Sequence, residues 1–164
     1  EIQESFSFYY AFTEKIQAWT DIDFKDENVS VIVCGDGVTP RTAALFALLT
    51  KWDCISCDPL MREHDYSKFN RLTVLKCKAE ELRFKDLVIK DTVILIFPHS
   101  HVLDINKIYQ VYKDKKVWIL NLPCCNPNQD ALIRLPKYSY RDIYIDSPMN
   151  EMRIFCNYLD LKFQ

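Results

Sequence analysis

Five short runs of this sequence are almost continuously apolar and rich in β-branched residues: VSVIVC (29–34), DCISCD (53–58), LTVLKC (72–77), TVILIF (92–97) and VWILNL (117–122). A strand with one face in water alternates apolar and polar residues. An unbroken apolar run instead marks a strand covered on both faces, the signature of a parallel sheet between helices. Helical apolar spacing appears in TAALFALLTKW, after the first run, and in VLDINKIYQVYKD (102–114), between the last two. Strands alternating with helices predict an α/β, three-layer domain. Phe8, Phe12, Ile16 and Trp19 recur at helical spacing ahead of it, so residues 1–28 read as a helix and linker packing on a domain of 29–164. YRDIYID (140–146) and EMRIFCNY (151–158) flank SPMN and predict an antiparallel hairpin at the carboxyl end. A length of 164 residues, 49% hydrophobic, suits one domain with a substantial core.

The chain holds only two glycines, Gly35 and Gly37, where ordinary usage of about 7% would supply roughly eleven. Both fall in CGDG, the turn that follows the first strand. In parallel sheets ligands bind beyond the carboxyl ends of the strands, and glycine there permits a sharp turn and close approach of a ligand to the backbone. Thr39 and Pro40 then form a helix start, threonine as cap and proline at the first helical position. Asp58 ends the second strand 23 residues after Gly35, an interval that suits a carboxylate accepting ribose hydroxyls. A dinucleotide fingerprint asks for a third glycine and a free helix N-terminus, where this chain has Pro40. A phosphate-binding P-loop asks for Gly-Lys-Ser/Thr, which is absent. A tyrosine-phosphatase loop would need its arginine six residues after Cys34, and Pro40 occupies that slot while Arg41 comes seventh.

VIVCGDG and CISCDP together resemble the first two motifs of class I S-adenosylmethionine-dependent methyltransferases. KCKAEEL (76–82) is similar to the family's GDAEEL-like stretch, except that Lys78 stands where aspartate is usual. The resemblance extends over residues 29–158. It implies a Rossmann-like methyltransferase fold, a mostly parallel sheet closed by a C-terminal antiparallel hairpin. It further implies S-adenosylmethionine as cofactor, bound through Gly35, Asp36, Gly37, Asp58, Lys78 and Ala79. Asp36 has two readings, orienting the cofactor's methionine end or capping a turn, as aspartate readily does.

Pro98, His99 and His101 follow the fourth strand at the same rim and are candidates for the substrate pocket. A histidine, with an ordinary pKa near 6.5, can remove a proton from a methyl acceptor. The plainer reading is loop hydrogen bonding, and FPHSH lacks the Asp/Asn-Pro-Pro-Tyr motif of amino-group methyltransferases. No catalytic residue is singled out. The expected activity is methyl transfer to an unidentified acceptor; the alternatives are a non-catalytic domain serving as an interaction or assembly module, or another nucleotide-dependent enzyme using the crevice. Phe97 or Trp52 filling the adenosine space would favour the module.

Seven cysteines, an odd number placed largely in apolar runs, read as reduced core thiols in an intracellular compartment. Cys54 and Cys57 form a CxxC on one strand and point to opposite faces, and Cys124-Cys125 has no matching second pair, so no metal is expected. A formal charge of −2 gives no sign of a nucleic-acid groove. No apolar run approaches the roughly 20 residues that span a bilayer, and EIQESFSFYY has no secretory-signal pattern. The partner expected is a small-molecule cofactor, with a protein partner left open.

Overall fold

The computed structural model describes residues 2–123 and 128–159; the Cys124-Cys125 pair lies outside them. Seven strands form one sheet: β1 (Val29–Cys34), β2 (Asp53–Cys57), β3 (Leu72–Leu75), β4 (Thr92–Pro98), β5 (Lys116–Leu122), β6 (Lys137–Arg141) and β7 (Glu151–Cys156). Their order is β3-β2-β1-β4-β5-β7-β6. The first five are parallel, and β7 runs antiparallel to both β5 and β6. Every residue of β1 and β4 is buried, which accounts for their unbroken apolar runs.

Alternation along β1 divides the core. Val31 and Val33 join Phe46 and Trp52 on one face, while Ile32 and Cys34 join Leu95 and Phe97 on the other. Cys54 and Cys57 likewise fall on opposite faces. The first face is covered by α1 (Ile2–Ala11), which runs through a π-helical turn (Phe12–Ile16) to Trp19, and by α2 (Arg41–Leu49). Phe8, Phe12 and Ile16, the stripe visible in sequence, are fully buried there, and Phe12 meets Trp52 edge-on at 4.7 Å. Ser5 Oγ lies 3.0 Å from Thr42 Oγ1, joining α1 to α2. The Ser7 hydroxyl donates to Asp142, joining α1 to the turn between β6 and β7. The second face carries a 3₁₀ helix (Ala79–Phe84) and α3 (Ile105–Tyr112).

Among the boundaries that differ from the sequence reading, three have a clear local reason. The hairpin is present, but β6 occupies Lys137–Arg141 rather than 140–146. Asp142 ends it: its carboxylate accepts the Tyr144 N–H at 2.9 Å and its carbonyl accepts from the Asn150 side chain, an Asx turn that leaves Ile143 and Tyr144 exposed. α3 begins at Ile105 because Asp104 is its cap, accepting the Asn106 N–H at 3.0 Å. α2 begins at Arg41, with Pro40 in the capping position and no side-chain bond from Thr39. Thr39 Oγ1 is buried without a partner among the described residues. Asp36 does the capping instead, its two oxygens accepting the Thr42 and Ala43 N–H groups at 2.9 and 3.1 Å.

Candidate functional site

From β1 the chain moves outward to β2 and β3, then returns to lay β4 on the other side of β1. The connections therefore diverge between β1 and β4, and an open α/β sheet has its ligand crevice at such a point. A cavity of about 820 Å³ lies there, lined by Gly35, Asp58, the 3₁₀ helix and residues 99–103. That volume lies within the ordinary range for small-molecule sites.

The two glycines answer to different demands. Gly35 has φ +85°, and a β-carbon on it would sit 2.8 Å from Ser100 Oγ and 3.2 Å from Ser100 Cα. Ser100 is itself buried, its hydroxyl accepting the Val102 N–H at 3.2 Å. Protein packing therefore already requires glycine at 35. Gly37 has φ +84° with no atom within 4 Å of its would-be β-carbon, so backbone conformation alone demands it. Its N–H donates to Asp58 Oδ2 at 3.1 Å, and Asp58 Oδ1 accepts the Leu60 N–H at 2.7 Å. Each Asp58 oxygen keeps lone-pair capacity beyond that one bond.

Asp36 is turned inward. Besides capping α2 it accepts from Ser56 Oγ at 2.9 Å, and burial pushes its carboxyl above the usual value against the pull of those donors. Asp36, Gly37 and Pro98 are not among the residues lining the cavity, whereas Gly35, Asp58, Lys78, Ala79, His99 and His101 are. Neither Trp52 nor Phe97 lines it; both pack in the core. On the β3 side, the Lys78 N–H donates to Glu81 Oε2 at 3.3 Å and starts the 3₁₀ helix, whose Arg83 lies 4.5 Å over the Phe84 ring.

His99 has φ +44°, unusual for a non-glycine residue. Its N–H donates to the Leu122 carbonyl at 3.1 Å. Its Nε2 lies 3.4 Å from Glu4 Oε1, within ion-pair distance but outside hydrogen-bond geometry. Glu4 belongs to α1 and escaped the sequence reading; no local pattern announces a partner 95 residues away. Ser100 follows the fourth strand between the two histidines, and nothing in the sequence announces that it packs against Gly35. Beneath the crevice, Cys34 and Cys57 are register partners on β1 and β2. Donation of the Cys34 S–H to Cys57, with burial, pushes the Cys34 thiol well above its ordinary value, so it is an inert core group. Among the described residues no helix is long and apolar enough to cross a membrane, and no cluster could hold a metal ion.

Five parallel strands with the reversal between β1 and β4, and an antiparallel β7 inserted between β5 and β6, decide the architecture. This is the strand order of the Rossmann-like methyltransferase fold. No family model and no curated protein matches the sequence. Among solved structures the chain is similar to the nicotianamine synthase MtNAS in complex with MTA and tNA, at 12% identity over 93% of this chain, with a TM-score of 0.49. It spans 62% of the length of that protein. It is also similar to an rRNA methylase from Streptococcus thermophilus, at 14% identity over 80% of this chain and 86% of the other, with a TM-score of 0.46. A third is a 16S rRNA (adenine(1408)-N(1))-methyltransferase from Catenulisporales acidiphilia with cosubstrate SAM, at 15% identity over 84% and 90%, with a TM-score of 0.42. In this strand order the crevice falls at the sheet's switch point.

Proposed function

We propose that the crevice binds S-adenosylmethionine and that the protein transfers its methyl group to an acceptor approaching from the β4 side. The supporting observation is the placement of Asp58: its carboxylate lines the cavity at the end of β2, with one backbone N–H on each oxygen and lone pairs left for ribose hydroxyls. Ala79 and the 3₁₀ helix would face the adenine, and Gly35 the 5′ end. The residues present fit the nucleoside half of the cofactor. Bound there, the cofactor supplies the electrophilic methyl, and the chain's own part is positioning. His99 and His101 line the same cavity and, on this reading, would orient an acceptor or take its proton. Five buried free cysteines support an intracellular, reducing setting.

A second reading, a non-catalytic domain used as an assembly module, is favoured by one observation. Ser100 packs against Gly35 and occupies space over the loop that a cofactor tail would approach. Calorimetric titration with S-adenosylmethionine and S-adenosylhomocysteine separates the two. Saturable heat with either compound, lost in Asp58→Ala while the variant remains folded, supports binding. No heat and no thermal shift with either leaves the module.

A further inference from the structure

We propose that the outer face of α1 is a homodimer seam, on which a second copy of this chain lays its own α1 antiparallel across a twofold axis. The proposal is independent of the crevice. α1 buries Phe8 and Ala11 against the sheet, yet Ile2, Phe6 and Tyr10 recur at i, i+4 and i+8 as a second stripe that faces water. The Asx turn after β6 adds Tyr144 to it from far along the chain. The Phe6 and Tyr144 rings each lie 6.3 Å from that of Tyr10, and all four residues line one groove of about 570 Å³ together with Gln3, Ser7 and Glu14. Isolated exposed apolar residues are ordinary. Four gathered in one patch mark a contact surface, and a helix that is apolar on two faces calls for a cover on both.

Area, shape and charge each favour a second copy as the occupant. Ile2, Phe6, Tyr10 and Tyr144 are 67%, 40%, 44% and 65% exposed, which on residues of about 200 Å² leaves roughly 450 Å² of apolar surface. A stable homodimer of ordinary size takes about 800 Å² from each partner, roughly 65% of it apolar, so the patch is of the size required. The i, i+4, i+8 row is a ridge that fits the matching groove of an identical helix at a crossing angle of about −50°. With the crossing between Phe6 and Tyr10, each copy's Phe6 meets the partner's Tyr10, and its Gln3 lies toward the partner's Glu14. Glu14 is the one charged residue among the described groove lining. An antiparallel seam sends the two Glu14 carboxylates to opposite ends, whereas a parallel one would set like charges together. A membrane surface is a poorer occupant, because no described lining residue is the lysine or arginine that helices lying on anionic lipid carry.

The test is sedimentation velocity on the whole chain over a concentration series reaching about 200 µM, where a reversible monomer–dimer equilibrium of roughly micromolar midpoint is expected. Phe6→Glu is expected to raise the dissociation constant at least about tenfold, since it buries an unpaired charge in the seam. Leu48→Glu, on the exposed side of α2, is expected to leave it unchanged. Gln3→Lys should tighten the dimer and Gln3→Glu loosen it, each by about two- to fivefold at low salt, because position 3 faces the partner's Glu14. Circular dichroism checks that each variant is folded; if Phe6→Glu is not, Ile2→Glu, at the more exposed end of the stripe, replaces it. A monomer throughout the series overturns the proposal. So does a dimer indifferent to the glutamate on the stripe, or one that both Gln3 variants shift in the same direction. Recovery of the monomer with floated vesicles of phosphatidylcholine and phosphatidylserine also overturns it and gives the face to a membrane.

Discussion

Replacing Gly35 with alanine separates two demands that the sequence presents as one. Both glycines hold φ near +85°, at +85° and +84°, so alanine at either position meets a backbone penalty of about 1–2 kcal/mol. At Gly37 nothing further is met. At Gly35 the new methyl would press on Ser100 Oγ at 2.8 Å, its Cβ at 3.1 Å and its Cα at 3.2 Å. The last of these is backbone, so rotating the serine side chain does not relieve the clash, and overpacking of this kind costs about 1–3 kcal/mol more. Gly35→Ala is therefore expected to destabilise by about 2–5 kcal/mol and Gly37→Ala by about 1–2 kcal/mol. Urea denaturation of both variants beside the parent measures the difference directly. For a domain of this size it corresponds to several degrees in Tm, at about 2–4 °C per kcal/mol. Adding Ser100→Gly to Gly35→Ala is expected to recover part of the loss in a double-mutant cycle. Equal destabilisation at the two glycines would refute the packing argument and return Gly35 to a purely conformational or ligand-facing role.

Asp36→Ala deprives two helix N–H groups and the Ser56 hydroxyl of their buried acceptor and is expected to destabilise by about 2–4 kcal/mol in urea titration; a loss below about 0.5 kcal/mol would mean that the cap is dispensable. At the other end of the sheet, hydrogen bonds from Arg153, at 2.8 and 3.0 Å, hold the Glu151 carboxyl below its usual value of 4.5. A depressed folded-state value contributes stability that is present above the unfolded value and lost as pH falls through the folded one. Glu151→Gln is accordingly expected to flatten the decline of the urea midpoint below about pH 4.5, and an unchanged decline would show that the pair has no such linkage.

The strands were legible because burial on both faces leaves no polar position to interrupt a run, as in TVILIF, where β4 lies between β1 and β5. The limits of β6 were not. Tyr140 to Asp146 has the composition of a strand, and only the carboxylate of Asp142 turning back on Tyr144 stops the ladder. The same difficulty governs Asp36. An aspartate between two glycines looks alike whether it faces a ligand or caps the next helix, and its bond to Ser56 depends on β2 lying beside β1. Asp58 was readable because the strand-to-strand interval is a chain property, whereas Ser100 against Gly35 and Glu4 against His99 exist only once the sheet has assembled. A crevice and its rim are legible in the strand ends and the glycine turn; how that rim packs is a matter of tertiary structure.

The clasp between Ser7 and Asp142 joins residues 135 positions apart, and it bears on how the chain is made. On a ribosome the first helix emerges before any strand it covers, and the turn that fastens it is among the last described segments to follow. Its apolar stripe has partners as soon as β1, α2 and Trp52 have emerged, whereas the clasp waits for the later Asp142 turn, since contacts between distant segments form late. The first helix is thus docked by its near neighbours in sequence and locked by a distant one.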